Sequence, residues 1–249
     1  MDAAVDRQRG SGVPTAMILA AGRGERMRPL SDATPKPLLR VGGKPLIVWQ
    51  IERLVAAGFA NLVINVAHLG AAIEASCGDG RAFGATIRYS RESEPLDVAG
   101  GIATALGLLD RDITLIVSGD IYTCYDYASL LPRLAAMQST LDPPHAHMVM
   151  VPNPDYHRDG DFTLVDGILS LGGEPRLTFG NIALYRRRLF EKLPRGERIR
   201  ILPLYREWIG RGWVSGERFD GGWANVGTPD ELSELDGQLT TRPSEQALR

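Results

Sequence analysis

Five small or apolar residues, Ala16-Met17-Ile18-Leu19-Ala20, run directly into Ala21-Gly22-Arg23-Gly24. An unbroken apolar run of that length predicts a short strand buried on both faces, as in a parallel sheet. The two glycines then permit backbone angles that a side chain would forbid. From Arg23 to Lys44 the chain is rich in proline and carries six cations (Arg23, Arg26, Arg28, Lys36, Arg40, Lys44) against two acids (Glu25, Asp32). A buried strand, a loop whose amides can face outward and a cluster of cations together meet the needs of polyphosphate binding. The alternative is a solvated basic loop with no ligand.

Two familiar glycine loops do not fit. Gly22-x-Gly24-x-x-Met27 has methionine at the third glycine of the dinucleotide fingerprint, and Gly42, Gly43 and Lys44 stand where that fingerprint needs an acid. A Walker A loop ends in Gly-Lys-Ser/Thr, whereas Gly43-Lys44 is followed by Pro45.

Along the chain, residues 1–14 mix glycine, serine and charge and read as an N-terminal extension. Helices are expected over 45–57, 70–77, 99–109 and 127–138, and strands over 61–66, 85–90 (near an edge) and 113–117. This alternation predicts an α/β fold: a Rossmann-like, mainly parallel sheet with helices on both faces. Beyond that, shorter strands are expected over 146–151, 162–171, 178–185, 213–219 and 223–226, with helices over 201–211 and 230–239. The expectation is one domain over 15–239, with a nucleotide-binding half (15–140) and a smaller, strand-rich acceptor-binding half (141–239). The chain from Gly237 reads as frayed, leaving 240–249 as a tail.

The 249 residues suit a single large domain, and 44% hydrophobic with 23% charged residues are ordinary for a globular protein. A net charge of −2 with local basicity argues against nucleic-acid affinity. Cys77 and Cys124 form no CxxC pair and no signal peptide is visible, so a cytoplasmic protein with reduced thiols is expected. No apolar stretch approaches the roughly 20 residues of a membrane span. His68, His145, His147 and His157 have no metal-ligand spacing, and no G-x-S-x-G nucleophile motif is present.

The stretch LAAGRGERMRPLSDATPKPLL (19–39) resembles the signature L-A-A-G-x-G-x-R-[ML]-x-P-L-[ST]-x-x-x-P-K-P-L of the sugar-phosphate nucleotidyltransferases. The resemblance runs from Thr15 to Leu235. Ile64-Asn65, Tyr89-Ser90, Glu94-Pro95-Leu96, Gly100-Gly101-Ile102, Gly160-Asp161-Phe162 and Ser215-Gly216-Glu217 draw it toward uridylyl transfer from UTP onto N-acetylmuramate 1-phosphate. The resemblance implies the nucleotide-diphospho-sugar transferase fold, Mg²⁺ as cofactor, UTP and a sugar 1-phosphate as partners, and a monomer or homodimer. Alternatives are a mannose- or glucose-1-phosphate nucleotidyltransferase using another base, or a non-catalytic nucleotide-sugar-binding regulatory subunit.

The resemblance also assigns residues. Ala20, Ala21, Gly22, Arg23 and Gly24 cradle the nucleotide phosphates, and Glu94, Pro95 and Gly100 face its base. Arg28 contacts the β/γ-phosphates, a task suited to a bidentate guanidinium. Lys36, stiffened between Pro35 and Pro37, grips the acceptor's phosphate. Asp120, at the carboxyl end of a buried strand, ligates the metal with phosphate oxygens and water completing the shell. The family's second metal ligand is an aspartate in W-x-D-x-G-T; here Trp223-Ala224-Asn225-Val226-Gly227-Thr228 offers Asn225, an oxygen without charge. Asp161, Asn181 and Arg200 fall where the acceptor sugar is expected.

Overall fold

The computed structural model of the chain describes residues 12–241. Apart from residues 12–14, the expected N-terminal extension lies outside the described residues, as do residues 242–249. In chain order the elements are β1 (Thr15–Leu19), α1 (Leu30–Ala33), β2 (Arg40–Val41), β3 (Lys44–Pro45), α2 (Leu46–Ala56), β4 (Asn61–Val66), α3 (Gly70–Cys77), β5 (Thr86–Arg91), α4 (Asp97–Ala105), β6 (Ile113–Ser118), β7 (Ile121–Thr123) and α5 (Leu130–Gln138). They continue with β8 (Ala146–Val151), β9 (Phe162–Val165), β10 (Ile168–Ser170), β11 (Arg176–Arg186), α6 (Leu202–Gly210), β12 (Val214–Arg218), β13 (Trp223–Asn225) and α7 (Pro229–Thr241).

β1 is flanked in parallel by β4 and β6, with Met17 opposite Val63 on one side and Ile116 on the other. The nine-stranded sheet runs β5-β4-β1-β6-β11-β8-β12-β10-β9. Its first four strands are parallel, as the βα alternation predicts, and β5 is the edge. From β6 onward the pairing is mixed: β11 runs antiparallel to β6 and β8, and only β8 and β12 pair in parallel.

Side chains alternate across this sheet. Ile18, Ile64, Leu115 and Val117 pack with Ile47, Ile51 and Leu54 of α2 and Leu130 and Leu134 of α5. Met17, Val63 and Ile116 face the opposite layer, with Ile102 of α4 and Tyr205, Trp208 and Ile209 of α6. Each such fully buried aliphatic side chain contributes about 1.5–3 kcal/mol. A third cluster joins Met27 of the basic loop to Tyr122, Val226, Leu235 and Leu239, so the loop is pinned to α7.

Three boundaries differ from expectation. α4 stops at Ala105 rather than Leu109, because Arg187 Nη1 donates to the carbonyls of Leu106 (2.9 Å) and Leu109 (2.7 Å) and caps the helix there. The stretch expected as one strand over 162–171 is a hairpin, turning at Asp166-Gly167 where both residues have positive φ (50° and 78°). The chain does not fray at Gly237: α7 continues through Thr241, held by buried Leu235 and Leu239. Among the described residues no helix is long and apolar enough to cross a membrane.

Candidate active site

The parallel strands β1 and β6 end side by side, Leu19 opposite Ser118, and the loops leaving them diverge. The cleft between them, about 530 Å³, lies at the carboxyl ends of the strands, where open α/β sheets take ligands. Ala21, Gly22, Arg23 and Gly24 form one wall and Glu94, Pro95 and Asp97 the other, with Asn65, Glu92, Ser118 and Asp120 between.

The glycine loop folds back on its own continuation. Gly24 sits at φ 65°, and a Cβ there would meet Lys36 Cβ at 3.2 Å. Lys36 is consequently buried, only 8% exposed, and its ammonium lies 2.5 Å from Asp120 Oδ2. Asp120 is held by main chain on two sides. Gly119 N donates to Leu19 O (2.9 Å), and Asp120 O accepts from Val226 N (3.1 Å). The β7–β13 ladder places Asn225 opposite Ile121, one residue beyond Asp120. The lysine, the carboxylate and the amide expected from sequence are thus drawn to one locality.

A polar relay behind the cleft was not foreseen. Ala20 N donates to Asn65 Oδ1 (2.8 Å), Asn65 Nδ2 to Glu92 Oε1 (2.7 Å), and Leu96 N to Glu92 Oε2 (3.0 Å). Burial pushes the Glu92 carboxyl up from its ordinary value, against the pull of its two donors. The relay ties the end of β1 to the turn before α4. It also corrects two assignments. Ala20 does not offer its amide to a ligand, because Asn65 takes it. Gly100 does not open onto the base: its N–H goes to Ile199 O (3.3 Å), and a Cβ there would lie 2.1 Å from Glu197 O. Its neighbour Gly101 makes room for Asn65 Nδ2 and Glu92 Oε1, 2.8 and 2.9 Å from its Cβ position. The glycine pair accommodates protein, not ligand. Asn65 and Glu92 lie at or just past the carboxyl ends of β4 and β5, a position that sequence reasoning can flag.

A second cleft of about 420 Å³ is lined by Arg26, His157, Asp161, Asn181, Trp223 and Asn225, among others. Asp161 Oδ2 accepts from Phe179 N (2.8 Å) and Oδ1 meets His157 Nε2 (3.1 Å), which fixes the carboxylate. Asn181 has φ 58°, tolerable for asparagine, at the register shift in β11 between Phe179 and Ala183. Arg200 is exposed and lines neither cleft.

Arg28 is the clearest correction. It lines neither cleft, is half exposed, and pairs with Asp32 at 3.1 Å, one helical turn along. Arg26 enters the second cleft instead, its Nη2 3.1 Å from the Cβ position of Gly227. The signal was in the signature itself, whose arginine stands two residues after the second glycine.

A glycine loop, a lysine–carboxylate pair and an adjoining cleft on a Rossmann-like sheet are features that suit a nucleotidyl transferase. Residues 15–155 match that family, and the chain belongs to it. More particularly, it is 44% identical over 223 residues to the N-acetylmuramate alpha-1-phosphate uridylyltransferase of Neisseria meningitidis serogroup B, covering 88% of this chain and 95% of that protein. The protein of the same name from Caulobacter vibrioides is 30% identical over 236 residues, 90% of this chain and 96% of the relative. In fold it resembles a putative glucose-1-phosphate thymidylyltransferase from Bacillus anthracis, crystallised with sucrose, at TM-score 0.79 and 19% identity over 94% of this chain and 98% of the other. The α/β architecture is the expected nucleotide-diphospho-sugar transferase fold.

Proposed function

We propose that the chain transfers the uridylyl group of UTP to a sugar 1-phosphate, N-acetylmuramate 1-phosphate above others, and releases pyrophosphate. The names of the relatives matched along nearly their whole length support the substrates. The observation that carries the reading is the Lys36–Asp120 pair, which joins the glycine loop to the end of β6 with Asn225 of the second cleft close by.

In this reaction an acceptor phosphate oxygen attacks the α-phosphorus in line; that P–O bond forms as the bond to the β-phosphate oxygen breaks. The attacking oxygen is already ionised at neutral pH, so no general base is required. The task is to bring two polyanions together and to neutralise the leaving pyrophosphate. Lys36 leaves Asp120 and grips the acceptor's phosphate. The amides of Gly22–Gly24 and the exposed Arg23 receive the triphosphate, and Asp161 and Asn181 orient the sugar.

The residues fit Mg²⁺. Asp120, in the turn before β7, and Asn225, on the adjoining β13, supply hard oxygen donors, and the ammonium already seated on Asp120 marks that carboxylate as a cation position. When bound, the ion neutralises charge on the triphosphate oxygens. Among the described residues no cluster of three or more His, Cys, Asp or Glu lies together, so substrate oxygens and water complete the shell.

Arg26, rather than Arg28, takes the charge-neutralising role. Arg26→Ala should lower kcat/KM by about 10- to 100-fold through loss of a charge-assisted contact, whereas Arg28→Ala should stay within about twofold, since exposed pairs such as Arg28–Asp32 contribute little. Steady-state kinetics of the two variants decide this, and the reverse order would restore Arg28.

A matrix of nucleoside triphosphates against sugar 1-phosphates, read by pyrophosphate formation, tests the whole reading. UTP with N-acetylmuramate 1-phosphate should give the highest kcat/KM. Nucleotide binding without turnover at any Mg²⁺ concentration would instead mark a regulatory binder, the reading that the uncharged Asn225 favours.

A further inference from the structure

The segment between β11 and α6 crosses from the acceptor side to the nucleotide cleft as a strap. Gly196 N donates to Thr104 Oγ1 (2.9 Å), and Ile199 O accepts from Ala99 N (3.1 Å) and Gly100 N (3.3 Å). Ile199 N returns a bond to Leu96 O (2.9 Å). The strap can lie this close only because residue 100 has no side chain. The fastening leaves Ile201 and Leu202 in the wall of the second cleft and puts Arg198 in the wall of the first.

Arg198 lines the first cleft together with Glu94–Val98 and stands beside Asp97. Its Nε is 4.0 Å from Asp97 Oδ2, while Asp97 Oδ1 accepts from Val98 N at 2.9 Å. Asp97 steadies the guanidinium without engaging it closely, and the Arg198 side chain remains 70% exposed.

We infer that Arg198 is a specificity-determining residue that donates to the 4-carbonyl oxygen of the bound base, selecting uracil over cytosine. The inference rests on the uridylyl-transfer reading. A guanidinium carries donors and no acceptor. It therefore satisfies the 4-carbonyl of uracil but confronts the 4-amino group of cytosine donor to donor, leaving two donors without partners. Phosphates, at the glycine-loop end, are served by Arg23 and Lys36.

The test is calorimetric titration of the full chain with UTP and with CTP, which needs no acceptor and no turnover. The wild type should prefer UTP. Arg198→Ala should weaken UTP by about tenfold, the value of one charge-assisted hydrogen bond, and leave CTP nearly unchanged, so the preference collapses. Gly100→Ala, which unseats the strap while keeping Arg198, should reproduce that collapse with unchanged circular dichroism. An equal loss for both nucleotides, or an unmoved ratio, overturns the inference while uridylyl transfer stands. A chain that binds neither nucleotide overturns both.

Discussion

Asp120→Asn should give a folded protein whose kcat/KM is lower by about 10³-fold, at the upper end of what removal of one preorganised electrostatic group costs. The substitution preserves shape and removes one charge. The main-chain bonds that fix this position, Gly119 N to Leu19 O and Val226 N to Asp120 O, do not involve the side chain. The loss therefore falls on chemistry. With Asn225 beside it, an amide at 120 leaves the cation position with two neutral oxygens, too weak for a divalent ion in competition with water. A secondary effect falls on stability, because Lys36, its side chain 10% exposed, loses its only anionic partner among the described residues. Kinetics over a wide Mg²⁺ range, with thermal unfolding alongside, check both parts. A variant retaining more than about a tenth of wild-type activity would place the ion elsewhere.

What the sequence made legible was local. Lys36 could be read because Pro35 and Pro37 stiffen it, and Asp120 because a carboxylate at the end of an apolar strand is delivered to the ligand side of an open sheet. The βα alternation gave the parallel half of the sheet for the same reason: each signal lies within a few residues. The Arg28 assignment misplaces the signature's arginine, which is Arg26: the folded turn, with Met27 buried between them, sends Arg26 to the cleft and Arg28 to Asp32. The other misreadings concern contacts between distant segments. Gly100 looks like an opening for a ligand until Glu197, 97 positions along, fills it. The strap has no periodicity to announce it, and the sequence pointed to Arg200 as an acceptor contact rather than to Arg198, which lines the first cleft.

Lys36→Met should move two readouts in opposite directions. Methionine, unbranched and one atom shorter than lysine, follows the same buried path without the terminal ammonium, so folding is preserved while the charge is lost. Turnover should fall by about 10²-fold, since the acceptor's phosphate loses its cation near the α-phosphorus. In the absence of nucleotide, however, Asp120 should bind a divalent ion more tightly, by about tenfold. The wild-type ammonium occupies that carboxylate at 2.5 Å, and any competing cation must displace it. A ligand's apparent affinity is reduced by the fraction of molecules in which its site is taken, and deleting the occupant removes that penalty. Mn²⁺ binding followed by its paramagnetic signal reports this directly, with no substrate present. General damage to the site would weaken metal binding and turnover together. Tighter metal with slower transfer is the signature of a lysine that holds the cation's place until the substrates arrive, and unchanged Mn²⁺ affinity would show that it does not.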